Sequence, residues 1–249
     1  MKRALVTGAS EGIGRQFAIQ LAELGYSITA VARNEERLEE LVAALPGENF
    51  YITADLSTVS GAKRVAQELT ETHYELLVNN AGVGVVGPFA ETSIRRLQSM
   101  MKLNIDTLVM LSHAYLNVAQ EGDALINVSS ALAFLPMPLM SVYAATKAFV
   151  TSFSESLWQE QQAKGVFVMA LHPGVTETNF HDRSGGDESN KPPKAMSQTP
   201  DVVVKAALQG LERRCNPTII SGIKNKLFAS MGRFMPRKQL VTIMGKGMG

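Results

Sequence analysis

The chain contains one cysteine, Cys215, among its 249 residues. A lone cysteine excludes an intramolecular disulfide and any metal site built from several thiolates, and it fits a reducing compartment. No stretch approaches the roughly 18 uninterrupted apolar residues of a membrane-spanning helix. The apolar run 4–6 is far too short for a secretory signal. These absences predict a cytoplasmic protein, and 45% apolar residues are enough for a full core without disulfides.

Acidic residues are absent from the end of the chain. The formal net charge is +1, but segment 213–249 holds eight Lys or Arg and no Asp or Glu, so residues 1–212 carry about −7. Apolar residues of this basic tail recur at helical spacing on either side of Pro236. Three partners are open for them: the protein's own core or substrate cleft, a second copy of the chain, and an anionic membrane surface. The tail's apolar residues are Leu227, Phe228, Met231, Phe234 and Met235, then Leu240, Val241 and Met244.

Histidine offers no metal site. The four histidines are scattered along the chain without the spacing of metal ligands, so no metal is expected. Nucleic acid is not expected either, because the basic residues are not interleaved with stacking aromatics and the rest of the chain is acidic.

Short apolar strands alternate with longer amphipathic helices along the chain. This order predicts an α/β fold, a Rossmann-like doubly wound parallel sheet with helices on both faces. No linker, repeat or change of composition divides residues 1–249, so a single domain is expected. Segment 179–200 has almost no apolar residues and is expected to form a loop over the substrate. Strands are predicted at 3–7, 27–32, 50–53, 75–79, 124–129 and 166–171, and helices at 13–24, 35–44, 59–72, 103–120 and 142–164.

A glycine-rich turn joins the first predicted strand to the first helix. Glycines there allow a tight turn and let backbone N–H groups approach a pyrophosphate at the positive end of the helix. Between a buried strand and an amphipathic helix, such a turn predicts a dinucleotide site. The predicted contacts in this turn are Thr7, Gly8, Ser10, Gly12, Ile13 and Gly14.

The second predicted strand is followed by a cation. In an NAD-dependent enzyme an acidic residue near this point holds the ribose hydroxyls. Here Arg33 and Asn34 follow the strand, and the first carboxylate is Glu35. The planar guanidinium of Arg33 suits a 2′-phosphate, although a solvated surface charge is the alternative interpretation. The pattern favours NADP(H) as the cofactor.

Tyr143 and Lys147 lie four residues apart in a predicted helix, and therefore on one face of it. A phenol titrates near ~10 in water and is a poor base at neutral pH. An ammonium a few Å away would stabilise the phenolate, so we expect a lowered pKa and acid–base activity for Tyr143. Ser129 and Ser130, at the end of the fifth predicted strand, are the candidates for a hydroxyl partner.

The spacing T-G-x-x-x-G-x-G of the glycine turn resembles the short-chain dehydrogenase/reductase family. Ser130 stands thirteen residues before Tyr143, which is the family's spacing of catalytic serine and tyrosine and favours Ser130 over Ser129. The resemblance implies that Ser130 hydrogen-bonds the reacting oxygen. It also implies that the carbonyl of Asn104 holds a water linking Lys147 to solvent. The implied catalytic set is Asn104, Ser130, Tyr143 and Lys147.

The resemblance assigns further cofactor contacts, with Asp55 at the adenine, the N-N-A-G segment 79–82 beside the adenosine ribose, and a P-G segment at the nicotinamide. Thr176 stands where the family usually has Val or Ile. Glu11 stands where many NADP-preferring members have a base, which runs against NADP(H). The implied contacts are Asp55, Leu56, Asn80, Ala81, Gly82, Tyr143, Lys147, Pro173, Gly174, Thr176 and Thr178.

The implied reaction is hydride transfer between NADP(H) and a carbonyl or alcohol, with Tyr143 moving the proton. Because family biochemistry indicates that cells hold NADP mostly reduced, reduction of a ketone or aldehyde is expected. Met137, Leu139 and Met140 would line the cleft and indicate an apolar substrate. A homo-oligomer, either a dimer or a tetramer, is expected. The alternative from another class is a catalytically idle member that binds NADP(H) as a sensor or scaffold.

Overall fold

The computed structural model describes residues 2–185 and 197–246, and for Arg233 the backbone alone. Within these residues one sheet runs in the order β3-β2-β1-β4-β5-β6-β7, and every pairing is parallel. This arrangement confirms the predicted fold class. The strands are β1 (Lys2–Thr7), β2 (Tyr26–Ala32), β3 (Phe50–Thr53), β4 (Leu76–Asn79), β5 (Ala124–Val128), β6 (Phe167–His172) and β7 (Thr218–Ile220).

Helices follow the strands and cover both faces of the sheet. Among the described residues, none of them is long and apolar enough to cross a membrane. A π-helical turn, Lys102–Thr107, joins the fourth helix to the fifth, and single 3₁₀ turns occur at Phe89–Glu91, Ala131–Phe134 and Gln162–Lys164. The α-helices are α1 (Gly12–Glu23), α2 (Glu35–Ala44), α3 (Val59–Glu71), α4 (Ile94–Met101), α5 (Leu108–Val118), α6 (Ser141–Glu160), α7 (Phe180–Arg183), α8 (Pro200–Arg213), α9 (Ile223–Phe234) and α10 (Arg237–Lys246).

Along each central strand, successive side chains point to opposite faces of the sheet. In β1, Ala4 and Val6 pack in a core with residues of α1, α2 and α8, whereas Leu5 packs with residues of α3 and α5. All three side chains are fully buried, as expected for a parallel strand covered on both faces. Helix α6 lies on the same face as α5, where Ser154 Oγ accepts a hydrogen bond from Asn127 of β5.

The strand order reverses between β1 and β4. In a doubly wound sheet the crevice beyond the carboxyl ends of the strands at such a point is where ligands bind. Thr7 ends β1 and Asn79 ends β4, so the glycine turn and the N-N-A-G segment meet at this crevice. The fold therefore positions both segments at one site.

Three elements differ from the sequence prediction: strand β7, helix α4, and helix α7 (Phe180–Arg183), which lies within the predicted loop 179–200. Strand β7 contains only three residues between Pro217 and Ser221, too few to show a period, and it extends the sheet beyond β6. Helix α4 begins at Ile94, nine residues before the predicted helix 103–120, and buries only Leu97 and Met100. Its buried side chains pack with Val85 and Tyr143 beside the cleft. Residues 186–196 of the predicted loop 179–200 lie outside the described residues.

Candidate active site

The glycine turn has no room for larger side chains. Gly8 and Gly12 have positive φ values of 67° and 56°, a conformation that glycine adopts without strain. A Cβ on Gly14 would lie 2.2 Å from the carbonyl oxygen of Gly8, and one on Gly12 would lie 2.9 Å from Cγ2 of Thr178. The turn is thus a backbone cradle at the start of α1. It fits the diphosphate of a dinucleotide, which needs close approach to main-chain N–H groups.

Hydrogen bonds from the N-N-A-G segment hold this cradle in place. The hydroxyl of Thr7 accepts from the backbone N–H groups of Asn80 and Ala81, at 2.9 and 3.0 Å. Nδ2 of Asn80 donates to the carbonyl oxygen of Thr7 at 2.9 Å. Two of the predicted cofactor contacts, Thr7 and Gly14, do not line the cleft. They lie behind the turn and support its backbone. Asn80, Ala81 and Gly82 do line the cleft.

Three arginines line the cleft at the end next to the glycine turn and β2. Arg33 is exposed at the end of β2 and lines the cleft together with Arg37 and Arg183. Glu11 of the glycine turn forms ion pairs with both Arg37, at 3.0 Å, and Arg183. Its carboxylate is therefore neutralised by cations on α2 and α7. Sequence reasoning missed these pairs because the three residues are far apart in the chain.

Asp55 turns the chain after β3 and also faces the cleft. Its Oδ1 accepts from the backbone N–H and hydroxyl of Ser57, at 2.9 and 2.7 Å. Burial raises the pKa of Asp55, but the Ser57 hydrogen bonds and the charge of Arg33 outweigh it and leave the pKa below its usual value. The helix-capping role falls to Thr58, which accepts from the N–H of Gly61. Asp55 and its neighbour Leu56 both line the cleft.

Tyr143 and Ser130 meet at the other end of the cleft. Ser130 caps the 3₁₀ turn after β5, with its hydroxyl accepting from the N–H of Leu132 at 3.2 Å. Burial raises the pKa of Tyr143 to about 12, and a hydrogen bond from the Ser130 hydroxyl lowers it by less. The expected lowering of the Tyr143 pKa is therefore wrong for this structure. The cause is that the phenol is 6% exposed, so the cost of a buried phenolate dominates.

Lys147 lies one helical turn beyond Tyr143, with Nζ 5.8 Å from the centre of the Tyr143 ring. Nζ donates to the carbonyl oxygen of Val128 at 2.8 Å, and burial lowers the pKa of Lys147 to about 8. Ser129 has a different partner, since its hydroxyl donates to the backbone carbonyl of Lys147 at 2.8 Å and contacts Thr151. The Ser129 hydroxyl is therefore used in hydrogen bonds to α6. Ser130 is the serine whose hydroxyl lies beside Tyr143.

Asn104 lies behind the site rather than in the cleft, in the π-helical turn Lys102–Thr107. Its amide exchanges two hydrogen bonds with the backbone of Val83, at 3.0 and 2.9 Å, and Nδ2 also donates to the Thr146 hydroxyl at 3.1 Å. A Cβ on Gly82 would lie 3.2 Å from Oδ1 of Asn104 and 3.4 Å from Nζ of Lys147. Asn104 and Lys147 therefore approach each other across Gly82, and the water between them stays a prediction.

A family model described as short chain dehydrogenase matches residues 2–189. The chain belongs to the short-chain dehydrogenase family. This finding confirms the resemblance predicted from the motifs, and it covers the glycine turn, the N-N-A-G segment, Ser130, Tyr143 and Lys147.

Named relatives match between three quarters and nearly all of the chain. Very-long-chain 3-oxoacyl-CoA reductase-B of Danio rerio is 30% identical over 260 residues, which cover 99% of this chain and 80% of the relative. Sulfoacetaldehyde reductase 2 of Chromohalobacter salexigens is 36% identical over 194 residues, 74% of this chain and 77% of the relative. A solved short-chain dehydrogenase from Sphingobium yanoikuyae in complex with NADPH has a TM-score of 0.83 at 30% identity, covering 97% of this chain and 95% of that one.

The P-G segment of this short-chain dehydrogenase is held by residues that sequence reasoning missed. Gln198 pairs with the chain at Val175 and Glu177 through backbone hydrogen bonds of 2.9 Å. Oε1 of Gln198 also accepts from Nδ2 of Asn225 in α9, which packs directly against Gly174. Both polar residues belong to segments without a motif, so only the folded chain reveals them. The predicted contacts Pro173, Gly174, Thr176 and Thr178 all line the cleft.

The cleft has a volume of about 1190 Å³, above the roughly 300–1,000 Å³ of ordinary ligand pockets. It runs from Arg33 past the glycine turn to Tyr143, which gives space for a dinucleotide and a second molecule. The Tyr143 end is apolar. Met137 and Met140 line it as predicted, but Leu139 is not among the lining residues, so that part of the prediction is wrong. The backbone of Leu139 has φ = 63° and its carbonyl accepts from the N–H of Gly87. The apolar lining residues at this end include Leu132, Met137, Met140, Phe180, Phe228, Met231, Ile243 and Met244.

The basic tail divides its apolar residues between two sides. Phe228 and Met231 point into the cleft, and α9 packs so closely that a Cβ on Gly232 would lie 2.6 Å from the carbonyl oxygen of Phe134. Leu227 and Phe234 of the same predicted stripe are instead 72% and 84% exposed. Packing on the protein's own cleft, one of the three open interpretations, therefore accounts for only part of the stripe.

Proposed function

We propose that this short-chain dehydrogenase reduces an apolar ketone or aldehyde with NADPH. The observation that carries the proposal is the meeting of Tyr143 and Ser130 at the apolar end of one continuous cleft, whose other end is a glycine cradle. A cofactor site and an acid beside an apolar chamber are the parts that carbonyl reduction needs.

Each polar side chain at this end has one task in the proposed reaction. The bound nicotinamide supplies the hydride. The Oη of Tyr143 donates its proton to the carbonyl oxygen, and the raised pKa keeps that proton in place throughout the neutral range. The Ser130 hydroxyl donates a hydrogen bond to the same oxygen as negative charge develops there. Lys147, with a pKa of about 8, carries a positive charge near Tyr143 at neutral pH.

The choice of NADP(H) rests on charge at the end of β2. Arg33 is exposed there, and its guanidinium forms no side-chain hydrogen bond or ion pair with the described residues. Glu11 counted against a phosphate, but Arg37 and Arg183 offset its charge. The solved relative from Sphingobium yanoikuyae holds NADPH. A 2′-phosphate among these arginines has the charge-assisted partners it requires.

The apolar chamber supports a lipophilic substrate. The two named curated relatives act on chemically different compounds, a very-long-chain 3-oxoacyl-CoA and sulfoacetaldehyde, so their names alone favour no substrate. The side chains support an apolar substrate, because aliphatic, methionine and phenylalanine residues surround the space next to Tyr143. A long or bulky hydrocarbon group would displace water from these surfaces. The cytoplasmic location and the homo-oligomer stay predictions.

The decisive test compares Tyr143→Phe with the parent enzyme and with Tyr115→Phe. Loss of the Tyr143 hydroxyl is expected to lower ketone reduction by about 10²- to 10⁴-fold while NADPH binding, followed by fluorescence, is retained. Tyr115 is a buried tyrosine whose hydroxyl bonds to the carbonyl of Ala124, so its variant should keep the activity. If the parent binds NADPH but reduces no member of a ketone panel, the idle sensor or scaffold replaces the enzyme.

A further inference from the structure

The outer side of α9 carries a stripe of large apolar side chains. Ile223, Leu227 and Phe234 are 84%, 72% and 84% exposed. Their separations of four and eleven residues place them within about 40° of each other around a helix of 3.6 residues per turn. Single exposed apolar residues are ordinary on a protein surface, whereas a continuous apolar patch marks a contact surface.

Only positive charge surrounds this stripe in the tail. Lys226 lies beside it on α9, and Arg237, Lys238 and Lys246 are exposed on α10. Segment 213–249 contains no Asp or Glu, although the rest of the chain is acidic. An amphipathic helix with large apolar residues on one side and lysines at its flanks is the kind that lies in a lipid headgroup region.

The same two helices border the cleft. Phe228 and Met231, on the inner side of α9, line its apolar end, together with Met244 of α10. Ile243 both lines the cleft and is 46% exposed, so it lies at the rim. The outer stripe is therefore next to an opening of the apolar chamber.

We propose that α9 and α10 dock this protein on an anionic lipid surface, with Ile223, Leu227 and Phe234 inserted among the headgroups. Lys226, Arg237, Lys238 and Lys246 then face lipid phosphates. A lipophilic substrate then reaches the rim at Ile243 from the bilayer. A second copy of the chain is a poorer partner, because a face-to-face two-fold contact would set each basic surface against itself. The docking itself needs no turnover and is tested without it, whereas the route of the substrate rests on the proposed function.

The test is sedimentation of the full-length protein with large vesicles. One set contains phosphatidylcholine alone and the other phosphatidylcholine mixed with phosphatidylserine. The protein is expected to bind the anionic vesicles far better than the neutral ones, and raised salt should release it because the attraction is screened. Equal sedimentation with both sets, or none with the anionic set at low salt, overturns the proposal.

Two double variants separate the apolar and charged contributions. Leu227→Ser with Phe234→Ser should abolish binding, and Lys226→Gln with Lys238→Gln should weaken it by about fivefold for each charge. The matched control is Leu24→Ser, which replaces a leucine of similar exposure, 64% against 72% for Leu227, outside the tail. Leu24 follows the last residue of α1, whereas the cleft lies at the first turn of that helix, so vesicle binding should not change.

Circular dichroism and NADPH binding establish that each variant is folded. These variants avoid the residues that line the cleft, so reduction of a water-soluble ketone should also be unchanged. Wild-type binding by both double variants overturns the proposal. Light scattering without vesicles tests the other partner, a second copy of the chain. If the protein forms a concentration-dependent oligomer that the Leu227 and Phe234 substitutions dissociate, the proposal is overturned, because the stripe would then be a contact between copies.

Discussion

At the level of single residues, the site depends on how burial shifts proton affinities in opposite directions. The pKa of Tyr143 rises to about 12 and that of Lys147 falls to about 8, because each loses water around its charged form. Near pH 7 both groups consequently hold their protons. This state suits an acid that gives a proton to a carbonyl oxygen, but the raised pKa of Tyr143 differs from the lowered pKa that the sequence spacing led us to expect.

Ketone reduction is expected to decline as the pH rises through about 8. Lys147 loses its charge there, whereas Tyr143 remains protonated until a much higher pH. The measurement is kcat/KM for reduction from pH 6 to pH 10, a range chosen to bracket about 8. Lys147→Arg is the control, because a guanidinium does not titrate in this range. A parent profile that stays flat to pH 10 would show that the Lys147 charge plays no part.

Arg33→Ala is expected to raise KM for NADPH by roughly ten- to hundredfold, which is the worth of a hydrogen bond to a charged group. KM for NADH should change little, since NADH has no 2′-phosphate, and it serves as the internal control. Steady-state kinetics with one ketone and both cofactors measure the two values. An equal rise for NADPH and NADH would indicate that Arg33 supports the fold and not the choice of cofactor.

At the level of helices and strands, the sequence predicted what repeats locally. The six longer strands and the helices between them follow from apolar period and from glycine or proline ends, and the structure has them within a few residues. Strand β7 was missed because three residues show no period. Helix α4 was missed because it has only eight residues, of which two are buried, so its pattern extends over little more than two turns.

The candidate site was predictable to the extent that it lies in contiguous motifs. The glycine turn, the N-N-A-G segment and the Ser130–Tyr143 spacing each have a local signature. Gln198 and Asn225 have none, because their hydrogen bonds join segments that only the folded chain brings together. The ion pairs of Glu11 are hidden for the same reason.

Helix α9 should distinguish large from small substrates. Phe228→Ala removes an aromatic ring from the cleft wall, and we expect kcat/KM for a lipophilic ketone to fall about tenfold or more, given about 0.8 kcal/mol per buried methylene. A small water-soluble ketone should be almost unaffected. Leu227→Ala, one position along on the outer side, is the matched control and should change neither rate. Equal losses for both ketones would point to a disturbed fold instead.

At the level of the whole molecule, a buried histidine connects the last two strands of the sheet to α6, the helix that carries Tyr143 and Lys147. His172 at the end of β6 is fully buried, and its Nε2 lies 3.0 Å from the Thr151 hydroxyl of α6. Nδ1 lies 3.4 Å from the carbonyl oxygen of Ile219 in β7. Burial lowers the pKa of His172 to about 4, so the folded protein keeps this ring neutral well below pH 6.5.

Acid should therefore destabilise the fold through His172. Between pH 6.5 and pH 4 the unfolded chain binds a proton that the folded protein refuses, so stability present above pH 6.5 is lost on acidification. Two and a half pH units correspond to about 3 kcal/mol. Urea unfolding at pH 7 and pH 4 should show that the parent loses about this much more than His172→Gln. Identical losses in the two proteins would exclude His172 as the cause.

The pairing of β1 with β4 matters while the chain is being made. Strand β1 ends at Thr7, but its second neighbour begins only at Leu76. At about 5–20 residues per second, roughly 3 to 14 s of synthesis separate the two strands. During that interval one edge of β1 has no partner, and an open apolar edge can pair with another nascent chain. The segment that later forms the cofactor cradle is thus also the one that needs shielding on the ribosome.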